Sequence, residues 1–584
     1  MSDYHELDTD VLIIGGGGAG VRAAIAAAEA GVRVTLLVKG QVAHSGMTAM
    51  ACPSYQAAIA MWEPGDSPEI AFEDTCREGR YLGDENLIKV LTGEATIRAL
   101  EMEQYGVKLT RESGKIFQVM HPGHSFARNL VIRGCGYGMM VGLRRELVRH
   151  PEVHIIEDVF ASRLLMDGDQ MAGAVVLDLR KDTVLAIRAR SMIVAAGGYE
   201  AMYAFNDCEP GATGDGVALA MHAGAALVDL EMILYYPTCL VWPDEVKGSL
   251  VQYEGLLGPR YIAGKMLNGR GGEFLPMSER VYKLPVRDVM MKAMFREIDE
   301  GRSTTHGGVY IDLTKSPLSP KEMYALLHKL DSLPFNSLRG LGIDVTKEPI
   351  EVKPGIHYCL GGVRINEKAE TSVPGLYAAG EVAGNVNGAN RTSGNALAET
   401  QVFGTRAGRY AAEFAMPMPT PELDNAAIKA EVARMTGYLE SKRDPIRPYQ
   451  LRSKLQAVME REVGYQRNAE GLAAALKEIR RLREEELPRV QAGVVHGYNY
   501  EWQEALELEN LLDVAEAVVL SADLRQESRG HHFRTDFPKA REEWLKHTRI
   551  RRTAGAELEL GSVPVVRLPS AVRSGGVPQE VRGG

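Results

Sequence analysis

The clearest hydrophobic pattern lies at the start of the chain. Val11–Ile14 is an unbroken apolar run that ends in Gly15–Gly18, an alanine-rich stretch at helical spacing follows, and Val32–Val38 is a second apolar run. A buried run, a glycine turn, a helix and another buried run predict a βαβ unit of about thirty residues. Within it Gly15, Gly17 and Gly20 form GxGxxG. The first glycine makes the tight turn, the second lets a pyrophosphate approach the backbone, and the third lets helix and strand pack closely. Free N–H groups at the helix start then face the phosphates. The second strand usually ends in an acid that holds the ribose hydroxyls, but Val38 and Lys39 stand there. Lys39 is thus a cofactor-binding candidate by position, and NAD specificity cannot be argued.

Between Val153 and Arg190 short β-like runs alternate with turn signals such as Asp167-Gly168-Asp169. They predict an antiparallel excursion, closed by a buried strand that ends in Gly197-Gly198. A third strand-to-glycine turn, Gly375 to Gly384, comes much later. The nucleotide domain is therefore discontinuous: residues 1–235 plus 353–415, with 236–352 inserted. From 416 to 548 the pattern turns helical and charged. Its Arg- and Glu-rich run Lys477–Glu486 predicts a solvated helical face, and residues 549–584 read as a C-terminal tail.

Composition narrows the function. Asp plus Glu total 77 against 67 Lys plus Arg, a net charge of −10, which argues against a nucleic-acid binder. Six cysteines lie far apart with no CxxC pair, so neither a disulfide scaffold, a structural zinc nor an in-chain iron–sulfur cluster is expected. No metal site is expected. No apolar stretch reaches the roughly 18 to 20 residues that span a bilayer. Asp3, Glu6, Asp8 and Asp10 stand where a signal peptide needs positive charge. A reduced, cytoplasmic chain is the expectation.

Five further runs carry a resemblance. Asp229–Thr238 (DLEMILYYPT), Leu284–Asp288 (LPVRD), Gly355–Val363 (GIHYCLGGV), Gly375–Glu399 and Glu527–Pro538 come in the order and separation of one family. The chain resembles the succinate dehydrogenase / fumarate reductase flavoproteins, with L-aspartate oxidase and adenylylsulfate reductase α chains as relatives. The resemblance covers nearly the whole chain, from about Asp10 to about His547. It implies an α/β fold with a discontinuous Rossmann-like FAD-binding domain, an inserted α+β capping domain and a C-terminal helical domain. It also implies an FAD enzyme acting on a carbon–carbon bond next to a carboxylate, whose electron partner is a separate iron–sulfur subunit.

Residue by residue, the resemblance implies that Gly15, Gly17 and Gly20 hold the FAD pyrophosphate and that Ser45, Thr48 and Ala49 lie along the flavin. Asp215 and Glu381 support the cofactor, Glu381 near the ribityl chain. Ser393, Asn395 and Leu397 approach the pyrimidine edge. Arg287 matches the proton donor or acceptor at carbon, and His357 and Arg391 match a clamp on one carboxylate. Glu254 matches a glutamate that relays protons to Arg287. The residue types suit the chemistry, since a guanidinium fork matches two carboxylate oxygens. His121, His124 and Cys359 read as structural.

Four departures shape the expectation. Covalent members carry a histidine directly after the serine matching Ser45; here that place is Gly46, and His44 lies on the other side. Non-covalent FAD is expected. The family's HPT histidine, which touches the second carboxylate of succinate, is Tyr236. Its TEG threonine is Tyr253, and a proton-path arginine falls on Leu257, with Arg260 nearby. A phenol carries no positive charge at neutral pH, so the expected substrate is not free succinate or fumarate. The alternatives are an L-aspartate-oxidase-like or adenylylsulfate-reductase-like enzyme, and a catalytically decayed flavin-binding assembly subunit.

Overall fold

The structure is a computed structural model that describes residues 4–257, 261–275, 285–329, 335–553, 555 and 557–569. Leu284, Arg260 and the chain end from 570 lie outside the described residues.

The strand Tyr4–Ile14 is the centre of a seven-stranded sheet. Val34–Val38 runs parallel on one side with Val153–Glu157 beyond it, and Thr183–Val194 runs parallel on the other. Val34–Val38 is buried throughout, as a parallel strand covered on both faces must be. Thr183–Val194 serves two purposes. Its first half pairs antiparallel with Gln170–Asp178, while its end pairs parallel with Leu376–Ala378. The antiparallel excursion begins at Val159, not Val153, because Val153–Glu157 joins the parallel edge, where its half-exposed pattern hid that role. Helix Gly18–Glu29 follows the glycine turn, and helix Asn395–Ala415 crosses it closely. A Cβ on Gly408 would sit 2.2 Å from Ala23 O, so this crossing requires glycine.

A second apolar cluster spans Tyr236 to Val352. It packs beneath the antiparallel sheet Ile233–Leu240, Ile350–Cys359, Val309–Asp312 and Lys265–Leu267, with helix Arg287–Asp299 against it. Strand register sets Tyr236 opposite Gly355, two residues from His357. The helix start is pinned by Asp288, which accepts hydrogen bonds of 2.6 to 3.0 Å from Arg80.

Beyond residue 416 come helices Asn425–Thr436, Pro448–Glu462, Ala469–Arg481 and Tyr500–Leu524. The last is largely buried, as its apolar residues around the whole circumference require. The run Lys477–Glu486 is not simply a solvated face: Ile479, Leu482 and Glu486 are buried, and Arg480 and Arg483 pair with Glu516 of the long helix. Nor does a tail begin at 549. Lys546–Arg552 and Leu558–Pro564 form a hairpin that extends a four-stranded sheet, and Arg567 and Leu568 N then donate to Glu85 at 2.8 and 2.7 Å. Charged outward residues in KHTRIRR masked the strand alternation, since only His547, Thr548 and Ile550 turn fully inward. Among the described residues no helix is long and apolar enough to cross a membrane.

Candidate active site

One cavity of about 650 Å³ runs from the first glycine turn to the inserted sheet. At one end it is lined by Gly15–Ala19, Lys39, Gly197 and the start of the long C-terminal helix, from Tyr500 to Glu507. At the other end stand Tyr236, Glu254, Arg287, His357 and Arg391.

The glycines divide into two kinds. A Cβ on Gly20 would lie 1.8 Å from Gly15 O, and one on Gly15, whose φ is +115°, would lie 2.2 Å from Ala195 O. Gly20 is therefore a packing glycine and does not line the cavity. A Cβ on Gly17 would meet nothing closer than Thr48 Oγ1 at 3.8 Å, and would project into the open space. Gly197, at φ +78°, likewise has nothing within 4 Å of its Cβ position. Thr48 Oγ1 accepts from Gly18 N at 3.1 Å and so braces the helix start.

Lys39 lines the cavity, and its ammonium is engaged within the protein. Its Nζ donates to Gly211 O, Thr213 Oγ1 and Asp215 Oδ2, each at 2.7 Å, and to Glu507 Oε1 at 2.8 Å. Burial alone would depress this ammonium, but Asp215 and Glu507 hold it above its ordinary value. Asp215 also accepts from Asn510 at 2.8 Å. Lys39 thus ties the loop before Asp215 to the C-terminal helix at the cavity rim. Ser45, Thr48, Asp215, Glu381, Ser393 and Leu397 line the cavity. Ala49 and Asn395 do not; Asn395 is buried and donates to Asn387 at 3.4 Å. His44 is exposed, its ring 5.8 Å from Tyr137 and outside the lining.

Arg287, His357 and Arg391 come from a helix, a strand and a loop, and they converge. Arg391 Nη2 donates to His357 Nε2 at 3.1 Å, while His357 Nδ1 lies 2.9 Å from Asp207 Oδ2. A guanidinium can only donate and a carboxylate accepts, so the imidazole is neutral with its proton on Nδ1. Burial, Arg391 and Arg287 hold His357 below its ordinary pKa, against the pull of Asp207. Arg391 itself is brought down to about 10 by burial and by Arg287. The Arg287 guanidinium lies 4.9 Å over the Tyr236 ring, 3.5 Å from Glu254 Oε1 and 3.4 Å from Ser393 Oγ. Tyr236 donates to Glu254 at 2.6 Å. Burial would raise the Glu254 carboxyl, but the Arg287 guanidinium and the Tyr236 hydroxyl bring it below its usual value. Arg287 Nη1 and Arg391 Nε are buried without a hydrogen-bond partner, two donors suited to an anion.

Tyr253 and Leu257 are buried but do not line the cavity; Leu250 and Gln252 of the same segment do. The short helix Tyr253–Leu257 packs those two side chains into the apolar cluster, with the Tyr253 ring 5.6 Å from that of Tyr236, so of the three departures at the substrate end only Tyr236 lines the cavity. His121 and His124 are buried and hold Ser393, through Oγ at 2.7 Å and its carbonyl at 3.0 Å. Burial pushes them down to about 4 and about 3. Asp207, Gln252, Cys52 and Glu200 escaped sequence reasoning. Asp207 sits in an irregular loop without periodicity, and only a His–carboxylate search in three dimensions finds it.

An elongated cavity, a glycine turn open to it, a helix N-terminus at one end and partly unpaired guanidiniums at the other fit a dinucleotide whose redox ring lies beside an anionic substrate. Sequence comparison agrees. Residues 10–397 match the FAD binding domain family and residues 452–574 the fumarate reductase flavoprotein C-terminal family. A chain of the CoM/CoB fumarate reductase of Methanothermobacter marburgensis is 38% identical over 550 residues, 93% of this chain and 97% of that protein. The fumarate reductase flavoprotein subunit of Mycobacterium tuberculosis is 32% identical over 588 residues, 95% of this chain and 97% of that one. A variant of E. coli quinol fumarate reductase FrdA superposes with a TM-score of 0.87 at 29% identity, covering 98% of this chain and all of that one. With FAD as its cofactor, the chain belongs to the fumarate reductase / succinate dehydrogenase flavoprotein family of oxidoreductases.

Proposed function

We propose that the enzyme oxidises or reduces a carbon–carbon bond next to a carboxylate, on a substrate whose far end is uncharged. The observation that carries this is the meeting of Arg287, His357 and Arg391 in the cavity that the glycine turn opens. Bound FAD supplies the hydride chemistry. Gly15, Gly17 and the amides at the start of helix Gly18–Glu29 hold its pyrophosphate, and Thr48, Glu381, Ser393 and Leu397 shape the space for the rest. Arg391 grips the substrate carboxylate, and His357, with Nδ1–H held by Asp207 and Nε2 accepting from Arg391, orients that guanidinium. Arg287, braced by Glu254 and Ser393, handles the proton at carbon and stabilises charge that develops on the carboxylate. Tyr236 commits its hydroxyl to Glu254 and offers no charge to a second carboxylate, whose unpaired burial is costly.

FAD is held non-covalently in this reading, because Gly46 replaces the linking histidine and His44 is exposed and outside the cavity lining. Acid precipitation is expected to leave the yellow colour in the supernatant. Electrons pass to or from a separate iron–sulfur subunit. The second reading, that fumarate itself is the substrate, is favoured by the names of the relatives. Steady-state turnover decides between them. Fumarate and succinate are compared with unsaturated acids whose second end is an amide, ester or aromatic group, for the native enzyme and Tyr236→His. The first reading expects the neutral-ended acids to win, and Tyr236→His to raise kcat/KM for fumarate. Rapid fumarate turnover at low micromolar concentration by the native enzyme refutes it.

A further inference from the structure

At the cavity wall Glu381 is paired with a second buried acid that the chemistry above does not use. Glu200 begins a short turn after the strand Thr183–Val194 and is completely buried. Glu381, on the loop after Leu376–Ala378, is buried and lines the cavity. Cys359 N donates to Glu200 Oε1 and to Glu381 Oε1, both at 3.0 Å, so one N–H serves two acids. Oxygens of the two carboxyls and the Cys359 thiol lie within 4.8 Å of one another. Glu200 Oε2 is buried and has no partner. Two ionised carboxylates this close cannot both stay buried on a single shared N–H.

We propose that Glu200 is a positioning residue that keeps Glu381 protonated, so that Glu381 presents a hydrogen-bond donor to bound FAD. An acid in its neutral form can donate, whereas a carboxylate only accepts. Burial and the neighbouring Glu200 push the Glu381 carboxyl well above its usual range, and only Arg391 opposes them among nearby charges. The other groups around the pair are neutral: Tyr199, Tyr358, Cys208 and the Cys359 thiol are all buried, and burial holds each of them far from ionisation. The Cys359 sulfur is already engaged, accepting from Tyr199 N at 3.3 Å. A metal ion held by the same three groups would need both carboxylates ionised, and its signature is distinct.

The test uses infrared spectroscopy of the holoenzyme and FAD titration of the flavin-depleted chain. The native holoenzyme is expected to show the C=O stretch of a protonated carboxyl, sensitive to D2O and absent from Glu200→Gln and Glu381→Gln. With an amide in place of the adjacent acid, Glu381 no longer shares its N–H with a second carboxyl and ionises. Glu200→Gln is therefore expected to bind FAD about tenfold more weakly at neutral pH, the worth of a lost hydrogen bond, and to recover near-native affinity in mild acid. Glu381→Gln carries a permanent amide donor and is expected to make FAD affinity independent of pH. The inference is overturned if the carboxyl band is missing from the native protein, or if Glu200→Gln weakens FAD equally at every pH, a purely structural effect. It is also overturned if FAD affinity depends on Na+, K+ or Mg2+ in the native chain and not in Glu200→Gln.

Discussion

Replacing Asp207 by asparagine separates the gripping of the substrate from the binding of FAD. The carboxylate is buried and lies 2.9 and 3.1 Å from His357 Nδ1 through its two oxygens. Hydrogen bonds to a charged partner contribute about 1.5 to 3 kcal/mol, and about 1.4 kcal/mol is tenfold in an equilibrium or rate ratio. Asp207→Asn is therefore expected to lower kcat/KM by about 10- to 100-fold. The amide can pair with either imidazole tautomer, so His357 no longer keeps Nε2 as the acceptor that orients Arg391. Asp207 raises the proton affinity of His357 against burial and two guanidiniums, so the variant imidazole falls further still. Most of the loss should appear in KM, because the grip acts on substrate and transition state alike. The assay is steady-state kinetics on the acid the native enzyme turns over, with the flavin spectrum as a control for loading. Asp207→Glu should recover part of the loss. An Asp207→Asn enzyme within twofold of native kcat/KM, fully loaded with FAD, refutes the role of Asp207.

Three further outcomes follow from the fold. Gly17→Ala should fold with a near-native melting temperature yet bind FAD poorly, whereas Gly20→Ala should lose stability outright because its Cβ falls 1.8 Å from Gly15 O; thermal melts and FAD titration separate the two. His124 titrates at about 3 in the fold and at about 6.5 when unfolded, so the unfolded chain takes up its proton first as pH falls. The stability advantage of the native chain over His124→Asn should then shrink by about 1.4 kcal/mol per pH unit below about 6.5, measured by denaturant unfolding across pH; a constant difference refutes the buried neutral state. Arg525 is wholly buried and pairs with Asp229, Glu231 and Glu527, so Arg525→Ala should cost about 3 to 5 kcal/mol in urea unfolding by stranding buried carboxylates.

What the sequence disclosed and what it hid follow a physical rule. The nucleotide turn was readable because an apolar run, three glycines and a helix are one local pattern, and each part constrains the next. Arg287, His357 and Arg391 were readable because each stands in a short run of distinctive residues. Asp207, Glu200 and Gln252 lie in irregular loops or at strand ends, where position in space, not spacing along the chain, gives them partners. Tyr253 and Leu257 seemed to rebuild the substrate end, but a one-turn helix rotates both into the core and leaves Gln252 in their place. The hairpin Lys546–Pro564 is hard to read from sequence because Arg549, Arg551 and Arg552 interrupt the buried residues His547, Thr548 and Ile550 that define its first strand.

Tyr500, Gln503, Glu504 and Glu507 close one end of a cavity whose first glycines appear near residue 15. The segment around residue 507 is synthesised long after the one around residue 15. The flavin therefore has no finished berth until that later segment has been made and folded back. Fragments that keep the whole nucleotide turn but stop before residue 507 should emerge colourless, and any factor that assists flavin insertion must recognise a nearly folded client.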